Sequence, residues 1–320
     1  MTRPERRRVL KWSGMSATPP AGETAPPRRV SLVLHPRRDI SEAVARVKQW
    51  AGTAGVSLRS LHDSRLPEGI ARCDDGDLAQ NCDLVLSLGG DGTLLGALRA
   101  AAPLGVPVLG VNLGRLGYLT EVDGEQLPEA LAAVGAGAFA IEERFAINAA
   151  WREDGHLREQ VAYNDVVLSR VPGHGQAALG LSVDGQLLVR YASDGVIAAT
   201  PAGSTGYSFA AGGPIVSPQT RAMIVTPDAP HGLFNRAVVL GDDEWLGVEV
   251  LPTSAPVALE VDGQLMAEVK PGWSLEVAPN PWPGLLVRLG SAGFADRARR
   301  KLGITDPAAL ADYDLAGHER

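Results

Sequence analysis

The segment Gly89-Gly90-Asp91-Gly92-Thr93 combines three glycines with one carboxylate, a combination suited to phosphate chemistry. Glycines at 89, 90 and 92 permit positive φ and close backbone approach, so amides at a helix start can face an anion. A carboxylate among those amides would repel phosphate, so Asp91 needs a different role. It could hold Mg²⁺ or accept the proton of an attacking hydroxyl. The alternative is a plain turn in which Asp91 caps the helix.

The residues on either side of this turn predict a strand followed by a helix. Asp83–Leu88 is a short apolar run, typical of a strand buried on both faces of a parallel sheet. Residues 93–102 are rich in helix formers and end before Pro103. No Lys-Ser/Thr follows the glycines, and the spacing is not G-x-G-x-x-G, so neither a Walker A loop nor a dinucleotide fingerprint is present.

A second candidate site lies at Asn164-Asp165, where an amide and a carboxylate begin the apolar strand 163–169. Such side chains can bond ribose hydroxyls or amide groups, although a simple polar strand start would look the same. The segment Leu259–Gln264 carries a further Asp-Gly pair, which we interpret as a hairpin turn.

A third candidate site is the stretch 193–214, which is crowded with small and hydroxylated residues. Its strand Val196–Thr200 runs into a second glycine-rich turn, and Ser204 or Thr205 is expected to cap a short helix that Gly212 and Pro214 end. Such a surface suits a nucleotide better than a hydrophobic core. The alternative for each of Asp194 and Tyr207 is a purely structural role: Asp194 as the first residue of a tight turn and Tyr207 as a core aromatic.

Length and composition limit the function classes. A chain of 320 residues predicts about two domains, and 45% apolar with 21% charged residues is typical of a soluble globular protein. The net charge of −7 argues against nucleic-acid binding. We expect no membrane span, because no apolar run approaches the roughly 18 residues required. Cys73 and Cys82 match neither zinc nor redox spacing, which favours reduced cytoplasmic thiols.

Taken in order, the chain predicts a disordered tail, an α/β domain and a β-rich domain. Residues 1–28 are basic and then Pro-rich without apolar periodicity, and translation starting at Met15 instead of Met1 stays open. Residues 29–140 alternate strands with helices, as in a doubly wound parallel sheet whose ligands bind at the carboxyl ends of its strands. An example is the helix 40–54, with Ile40, Val44, Val47 and Ala51 on one face.

The β-rich domain is predicted from about residue 141 to residue 284. Asp-Gly pairs at 154–155, 184–185, 194–195 and 262–263 predict repeated hairpins and a mostly antiparallel structure. A strand at 285–289 and a basic helix at 295–302 follow, and residues 285–320 are expected to return to the first domain.

Taken together, these motifs resemble the NAD kinase family from about Val30 to Leu302. The GGDGT turn alone would be weak, since phosphofructokinases and diacylglycerol or sphingosine kinases resemble it. The ordered set is more specific; its members are Gly89–Thr93, Gly110–Glu121, Asn164-Asp165, Asp194-Gly195, Thr200–Thr205, Ala211–Val216, Ala229–His231 and Asp262–Gln264.

The resemblance implies Mg²⁺- and ATP-dependent phosphorylation of the 2′-hydroxyl of the adenosine ribose of NAD, which makes NADP. It implies that Asp91 is the base. It further implies that Gly89, Gly90, Gly92 and Thr93 line the phosphates and that Asn164 and Asp165 meet the ribose and adenine. The implied neighbours of the rest of NAD are Tyr118, Thr205, Gly206 and Tyr207 near the adenine and Asp194 towards the nicotinamide.

Several points stay open at this stage. The donor is ATP alone or also polyphosphate, the metal ligands are unknown, and NAD against NADH preference has no residue code. A homodimer or homotetramer is implied by the resemblance only. Gly206 and Ala210 replace the Ala and Ser usual in the family, so one hydroxyl contact to the dinucleotide is in doubt. The alternatives are a GGDGT-type lipid or sugar kinase and a non-catalytic NAD-binding regulator.

Overall fold

The computed structural model describes residues 25–61, 66–114, 119–290 and 293–305. The predicted tail falls outside these ranges except for residues 25–28, and so does Tyr118. The first half of the described chain alternates strands with helices: β1 (Arg29–Leu34), α1 (Ser41–Ala54), β2 (Ser57–Leu61), β3 (Ala71–Cys73), β4 (Leu84–Gly89), α2 (Asp91–Ala101), β5 (Val108–Asn112), β6 (Val122–Asp123), α3 (Leu127–Gly135) and β7 (Ala140–Arg144).

The second half consists almost entirely of strands, with one four-residue helix and one C-terminal helix. Its elements are β8 (Ile147–Glu153), β9 (His156–Ala162), β10 (Asp165–Arg170), β11 (Ala177–Val183), β12 (Gln186–Ser193), β13 (Gly195–Ala199), α4 (Tyr207–Ala210), β14 (Ala222–Asp228), β15 (Val238–Gly241), β16 (Leu246–Val250), β17 (Val257–Val261), β18 (Gln264–Val269), β19 (Ser274–Pro279), β20 (Gly284–Arg288) and α5 (Phe294–Leu302).

The first sheet has the strand order β3-β2-β1-β4-β5-β20-β7, and β6 also pairs with β5. All of its pairings are parallel except that between β20 and β7. Successive residues of β4 face opposite sides, so Leu86 packs in the core with α1 and α3, while Val85 packs with α2. Helices therefore cover both faces, and the predicted doubly wound α/β fold is confirmed.

The helix α1 illustrates how the pattern sets this packing. Its predicted apolar face consists of Val44, Val47 and Ala51 with the N-cap residue Ile40, and all four are at most 3% exposed. They recur at helical spacing, so they form one apolar stripe that packs against the sheet. Gly55 ends the helix in the left-handed conformation, with φ of 68°.

Two antiparallel six-stranded sheets form the β-rich part, and a shared hydrophobic core lies between them. Their orders are β15-β14-β13-β10-β17-β18 and β12-β11-β16-β19-β8-β9. The predicted antiparallel all-β architecture is thus confirmed. The strands β7 and β20, which flank this part in sequence, pair with each other in the first sheet.

Three of the four Asp-Gly pairs form the predicted hairpin turns. At 154–155, 184–185 and 262–263 both residues have positive φ, as a two-residue type I′ hairpin loop requires. The prediction was wrong for Asp194-Gly195, which instead connects β12 of one sheet to β13 of the other. Within the described ranges, no helix is long and apolar enough to cross a membrane.

Candidate active site

The glycine-rich turn lies at the carboxyl end of β4, beside the carboxyl end of β5. Helix α2 begins at Asp91, two residues earlier than predicted, and Gly90 is its N-cap residue. None of Gly89, Gly90 and Gly92 has positive φ, so the turn does not use the left-handed conformation that these glycines permit. Close packing accounts for Gly89 instead, because a Cβ there would overlap the side chain of Thr93.

The other two glycines leave the front of the turn open. A Cβ added to Gly90 or Gly92 would meet no heavy atom within 4 Å. The first backbone N–H groups of any α-helix have no acceptor within the helix and carry the positive end of its dipole. The turn therefore presents an accessible helix start to the space beyond the sheet.

The carboxylate of Asp91 is bonded to the chain that follows β5. Its Oδ1 accepts hydrogen bonds from the N–H groups of Leu119 at 3.0 Å and Thr120 at 3.3 Å. No side chain caps the start of α2, so the alternative of a simple helix cap is wrong. The two amides hold the carboxylate in one orientation at the edge of the sheet.

A cleft of about 570 Å³ lies between the two domains. Leu119 and Thr120, the residues that bind Asp91, form part of its wall, and Ala202 and Thr205 of the β-rich domain form another part. The fold thus brings the third candidate segment to a cavity whose wall includes the two residues that bind Asp91, whereas residues 89–93 themselves are not among its lining residues.

Buried ion pairs form the far side of the cleft. Arg288 binds both Glu121 and Glu142, and Arg144 lies 3.1 Å from Glu142. Burial, with repulsion from Arg288, lowers the pKa of Arg144 to about 10, which leaves it charged at neutral pH. Because each arginine has an acidic neighbour, this wall is close to charge-balanced and does not by itself attract anions.

The second candidate segment, Asn164-Asp165, is fixed by its backbone against the third. The N–H of Thr200 donates to the carbonyl of Asn164 at 2.8 Å, and the Thr200 hydroxyl donates to the carbonyl of Tyr163 at 2.6 Å. A Cβ at Gly203 would overlap the Asn164 carbonyl, so only glycine permits this approach. The small residues of the third segment thus serve close backbone packing.

Asp262 holds the same segment from the other side, a role that the hairpin interpretation did not include. Its buried carboxylate accepts hydrogen bonds from the N–H groups of Tyr163, Asn164 and Asp165, of which the Asn164 bond is shortest at 2.7 Å. It also forms an ion pair with Arg99 of α2 at 2.7 Å. The only sequence signal was the Asp-Gly-Gln motif, and nothing pointed to Arg99.

Burial changes the ionisation of the Asp165 and Asp262 carboxylates. The pKa of Asp165 is raised to about 7 by burial, and then by the nearby charges of Asp262 and Glu260. Burial raises the pKa of Asp262 as well, although Arg99 and the three backbone N–H groups oppose the rise. Asp165 therefore titrates close to neutral pH, which local sequence does not show.

Thr205, Gly206 and Tyr207 occupy a short irregular helix between β13 and β14. Residues 203–205 form one 3₁₀ turn, and Gly206, not Ser204 or Thr205, is the N-cap of α4, so the predicted cap was wrong. The half-exposed Tyr207 hydroxyl donates to Asp228 at 2.9 Å. Burial together with this bond raises the pKa of Tyr207 to about 12.

Asp194 lies beside the same acidic residue, Asp228. Its N–H donates to the Asp228 carbonyl at 3.0 Å, and its carboxylate accepts a bond from Arg170 Nε at 2.6 Å. The contacts therefore join Asp194 to Tyr207 through Asp228. Tyr118, the remaining predicted site residue, is outside the described residues.

The described part of the chain contains no group of three or more His, Cys, Asp or Glu side chains that could hold a metal. Near the glycine-rich turn, the predicted metal-binding side chain is Asp91 alone.

Comparison with known proteins decides the family. The ATP-NAD kinase N-terminal domain model matches residues 75–139, and the ATP-NAD kinase C-terminal domain model matches residues 163–288. NAD kinase 1 of Streptomyces avermitilis is 37% identical over 324 aligned positions, which cover 90% of this chain and 91% of that protein. The chain belongs to the NAD kinase family. It is therefore a kinase that phosphorylates NAD to NADP, as the sequence motifs predicted.

Other NAD kinases agree with this assignment. The NAD kinase of Symbiobacterium thermophilum is 40% identical, with 80% of this chain and 90% of that protein covered. Two solved structures share the NAD kinase fold. Yeast NADH kinase complexed with NADH has a TM-score of 0.78 at 23% identity, covering 88% of this chain and 89% of that one. The Archaeoglobus fulgidus NAD kinase complexed with ATP has a TM-score of 0.64 at 24% identity, covering 86% and 97%.

Proposed function

We propose that the reaction takes place at the cleft edge where Asp91 meets residues 119–120, with the 2′-hydroxyl of the adenosine ribose of NAD as acceptor. The observation that carries this proposal is the pair of hydrogen bonds from Leu119 and Thr120 to Asp91 Oδ1. They fix a carboxylate beside an open helix start. A carboxylate in that place suits a base that takes the proton of a hydroxyl as it attacks a phosphorus atom.

Positioning accounts for most of the expected rate enhancement. A secondary hydroxyl is a weak nucleophile, and phosphoryl transfer depends chiefly on alignment and on charge stabilisation. The rigid anchoring of Asp91 would orient the hydroxyl towards the phosphate. As the bond from the hydroxyl oxygen to phosphorus forms, the bond to the leaving phosphate breaks and the proton passes to the Asp91 carboxylate.

The glycine-rich turn is proposed to hold the phosphates of the donor. Gly90 and Gly92 present open backbone, and the start of α2 supplies N–H groups and a positive dipole end. Gly89 and Thr93 would act by shaping the turn, because the Thr93 side chain packs against Gly89. Inorganic polyphosphate carries similar phosphates and is a donor worth testing beside ATP.

The dinucleotide is proposed to lie against the β-rich domain. Asn164 and Asp165 would bond the ribose and adenine, Thr205, Gly206 and Tyr207 with Tyr118 would flank the adenine, and Asp194 would lie towards the nicotinamide. The locked backbone at 163–165 supports this assignment, since a preorganised segment loses little entropy on binding.

The divalent cation is proposed to arrive with the nucleotide. A magnesium ion retains several waters and is commonly held by substrate phosphates with one or two carboxylates, so it does not require a group of three protein ligands, and the described residues contain no such group. When bound, it would neutralise phosphate charge. We further propose that the protein is a cytoplasmic homodimer or homotetramer. Residues 29–140 and 285–320 would form its nucleotide-binding domain, and residues 141–284 its NAD-binding domain.

The decisive experiment is NADP formation from NAD and Mg-ATP by the purified protein, coupled to an NADP-specific dehydrogenase, with Asp91→Asn alongside. Product from the wild type and a large loss in the variant would support the proposed base. NAD binding without turnover by the wild type would favour a non-catalytic regulator instead.

A further inference from the structure

We propose that Asp262 is a positioning residue, which with Arg99 sets the NAD-contacting segment 163–165 relative to the helix that begins at Asp91. This inference rests on the proposed function of Asn164, Asp165 and Asp91. It assigns a role to a hairpin residue that touches neither the proposed base nor the open front of the glycine-rich turn.

Several hydrogen bonds converge on the Asp262 side chain. Three successive N–H groups, of Tyr163, Asn164 and Asp165, point at its carboxylate, and the Asp262 N–H donates to the Asp165 carbonyl at 2.9 Å. Three consecutive amides that face one carboxylate specify the local backbone closely. A strand start that bonded only to its neighbouring strands would retain more backbone conformational freedom.

The cation that pairs with Asp262 comes from the other domain. Arg99 lies on α2, two turns beyond Asp91, and reaches the Asp262 carboxylate at 2.7 Å with only 17% of its side chain exposed. The Asp262 side chain is fully buried. A buried carboxylate needs such a partner, and removal of either member leaves the other charge uncompensated. The pair thus connects the helix of the first domain to the second domain.

The hairpin geometry at Asp262 does not itself demand an acidic side chain. Asp262 and Gly263 have φ of 49° and 72°, a turn that Asn-Gly or Gly-Gly forms equally well. At the equivalent turn 184–185, Asp184 has φ of 50° and accepts one N–H bond, from Trp245 at 3.3 Å. The two turns have the same backbone conformation, but the Asp262 carboxylate accepts hydrogen bonds from three backbone N–H groups and the Asp184 carboxylate from one.

The two turns supply a matched pair of variants. Asp262→Gly removes the carboxylate and preserves the left-handed turn, and Asp184→Gly makes the same change remote from the site. Arg99→Gln removes the partner charge without touching the hairpin. All three are compared with the wild type by steady-state kinetics with NAD, by NAD binding, and by hydrogen exchange of the 163–168 segment.

We expect Asp262→Gly and Arg99→Gln to raise KM for NAD and to lower kcat/KM by about 10- to 100-fold, the loss typical of a small misplacement of reacting groups. Exchange of the amides at 163–165 should be faster in both. Asp184→Gly should stay within about twofold of the wild type in all measurements. A merely structural role would reduce the active fraction, and hence apparent kcat, without changing KM.

Kinetic constants of Asp262→Gly equal to those of Asp184→Gly would overturn the proposal, and so would unchanged exchange at 163–165. If the wild type forms no NADP, the proposed function fails by itself. The positioning role is then tested by hydrogen exchange at 163–165, and, if the wild type binds NAD, also by the NAD affinity of the variants. Should Asp262→Gly fail to fold, Arg99→Gln decides the same points.

Discussion

The guanidinium of Arg99 binds the carboxylate of Asp262 at 2.7 Å, across 163 residues of sequence. The two residues belong to different domains: Arg99 lies on the helix that begins at Asp91, and Asp262 contacts the segment Asn164-Asp165. This ion pair fixes the helix that carries the proposed base relative to the segment that carries the proposed ribose contacts. Substitutions of single residues in these two parts test the role of each.

Asp91→Asn should abolish most turnover while leaving NAD bound. The amide retains the shape and can still accept the two N–H bonds, but it cannot accept a proton at neutral pH. We expect kcat to fall by about 10²- to 10⁴-fold, the usual contribution of a general base, with the NAD dissociation constant within a few fold. Stopped assays of NADP and calorimetric titration with NAD provide the two values.

The control for that variant is Asp83→Asn, because Asp83 directly precedes β4, the strand that leads to the glycine-rich turn. The Asp83 carboxylate accepts hydrogen bonds from the Arg29 guanidinium and from the N–H groups of Arg28 and Arg29, at the amino end of β4 and away from the turn. Its replacement should leave kcat unchanged. Near-normal turnover of Asp91→Asn, or equal losses in the two variants, would contradict the assignment of the base.

Asp165 should make stability depend on pH around neutrality. Its native pKa of about 7 lies above the ordinary value of 3.8, so its contribution to stability is fully present below pH 3.8 and is lost as the pH rises through 7. Asp165→Asn stays neutral and should not lose this contribution. The free energy of unfolding of the variant, relative to that of the wild type, should therefore be higher at pH 8 than at pH 5. The gain should be on the order of 2 kcal/mol, measured by urea unfolding at both pH values.

The same titration should appear in NAD binding. A charged Asp165 accepts two or more hydrogen bonds from hydroxyl or amino groups, whereas the neutral acid accepts fewer. KM for NAD should therefore fall as the pH rises from 6 to 8, and this dependence should disappear in Asp165→Asn. A wild-type KM that is flat over that range would show that Asp165 does not titrate there or does not contact NAD.

Gly89→Ala and Gly90→Ala should fail in different ways. A Cβ at 89 overlaps Thr93, so that variant should lose about 1 to 3 kcal/mol of stability through overpacking. A Cβ at 90 meets nothing and φ is −134°, so stability should be unchanged or slightly higher. If the open turn holds the donor phosphates, Gly90→Ala should raise KM for ATP severalfold. Chemical unfolding and ATP kinetics separate the two effects.

Ala210→Ser should test the departure from the usual family pattern. Ala210 is the last residue of α4 and is exposed, so a hydroxyl fits there without a clash. If that hydroxyl contacts the dinucleotide, KM for NAD should fall a few fold while kcat stays constant, since uniform binding changes KM alone. An unchanged KM would place position 210 outside the NAD contacts.

Local pattern determined the elements of this protein and the chemistry of its turn. Helix α1 follows from apolar periodicity, strand β4 from a short apolar run and three Asp-Gly hairpins from turn chemistry, because these signals depend on neighbours a few residues apart. The same holds for the combination of glycines and a carboxylate at 89–93. An ordered set of such motifs was enough to indicate the family.

The tertiary structure alone decided which residues support the site and how they ionise. The Arg99–Asp262 pair, the contact of Gly203 with Asn164 and the bonds from residues 119–120 to Asp91 each join distant parts of the chain. The pKa of Asp165 depends on its depth of burial and on two acidic neighbours that are remote in sequence. Desolvation and long-range charge arise only when the chain is folded, so no local sequence pattern records them.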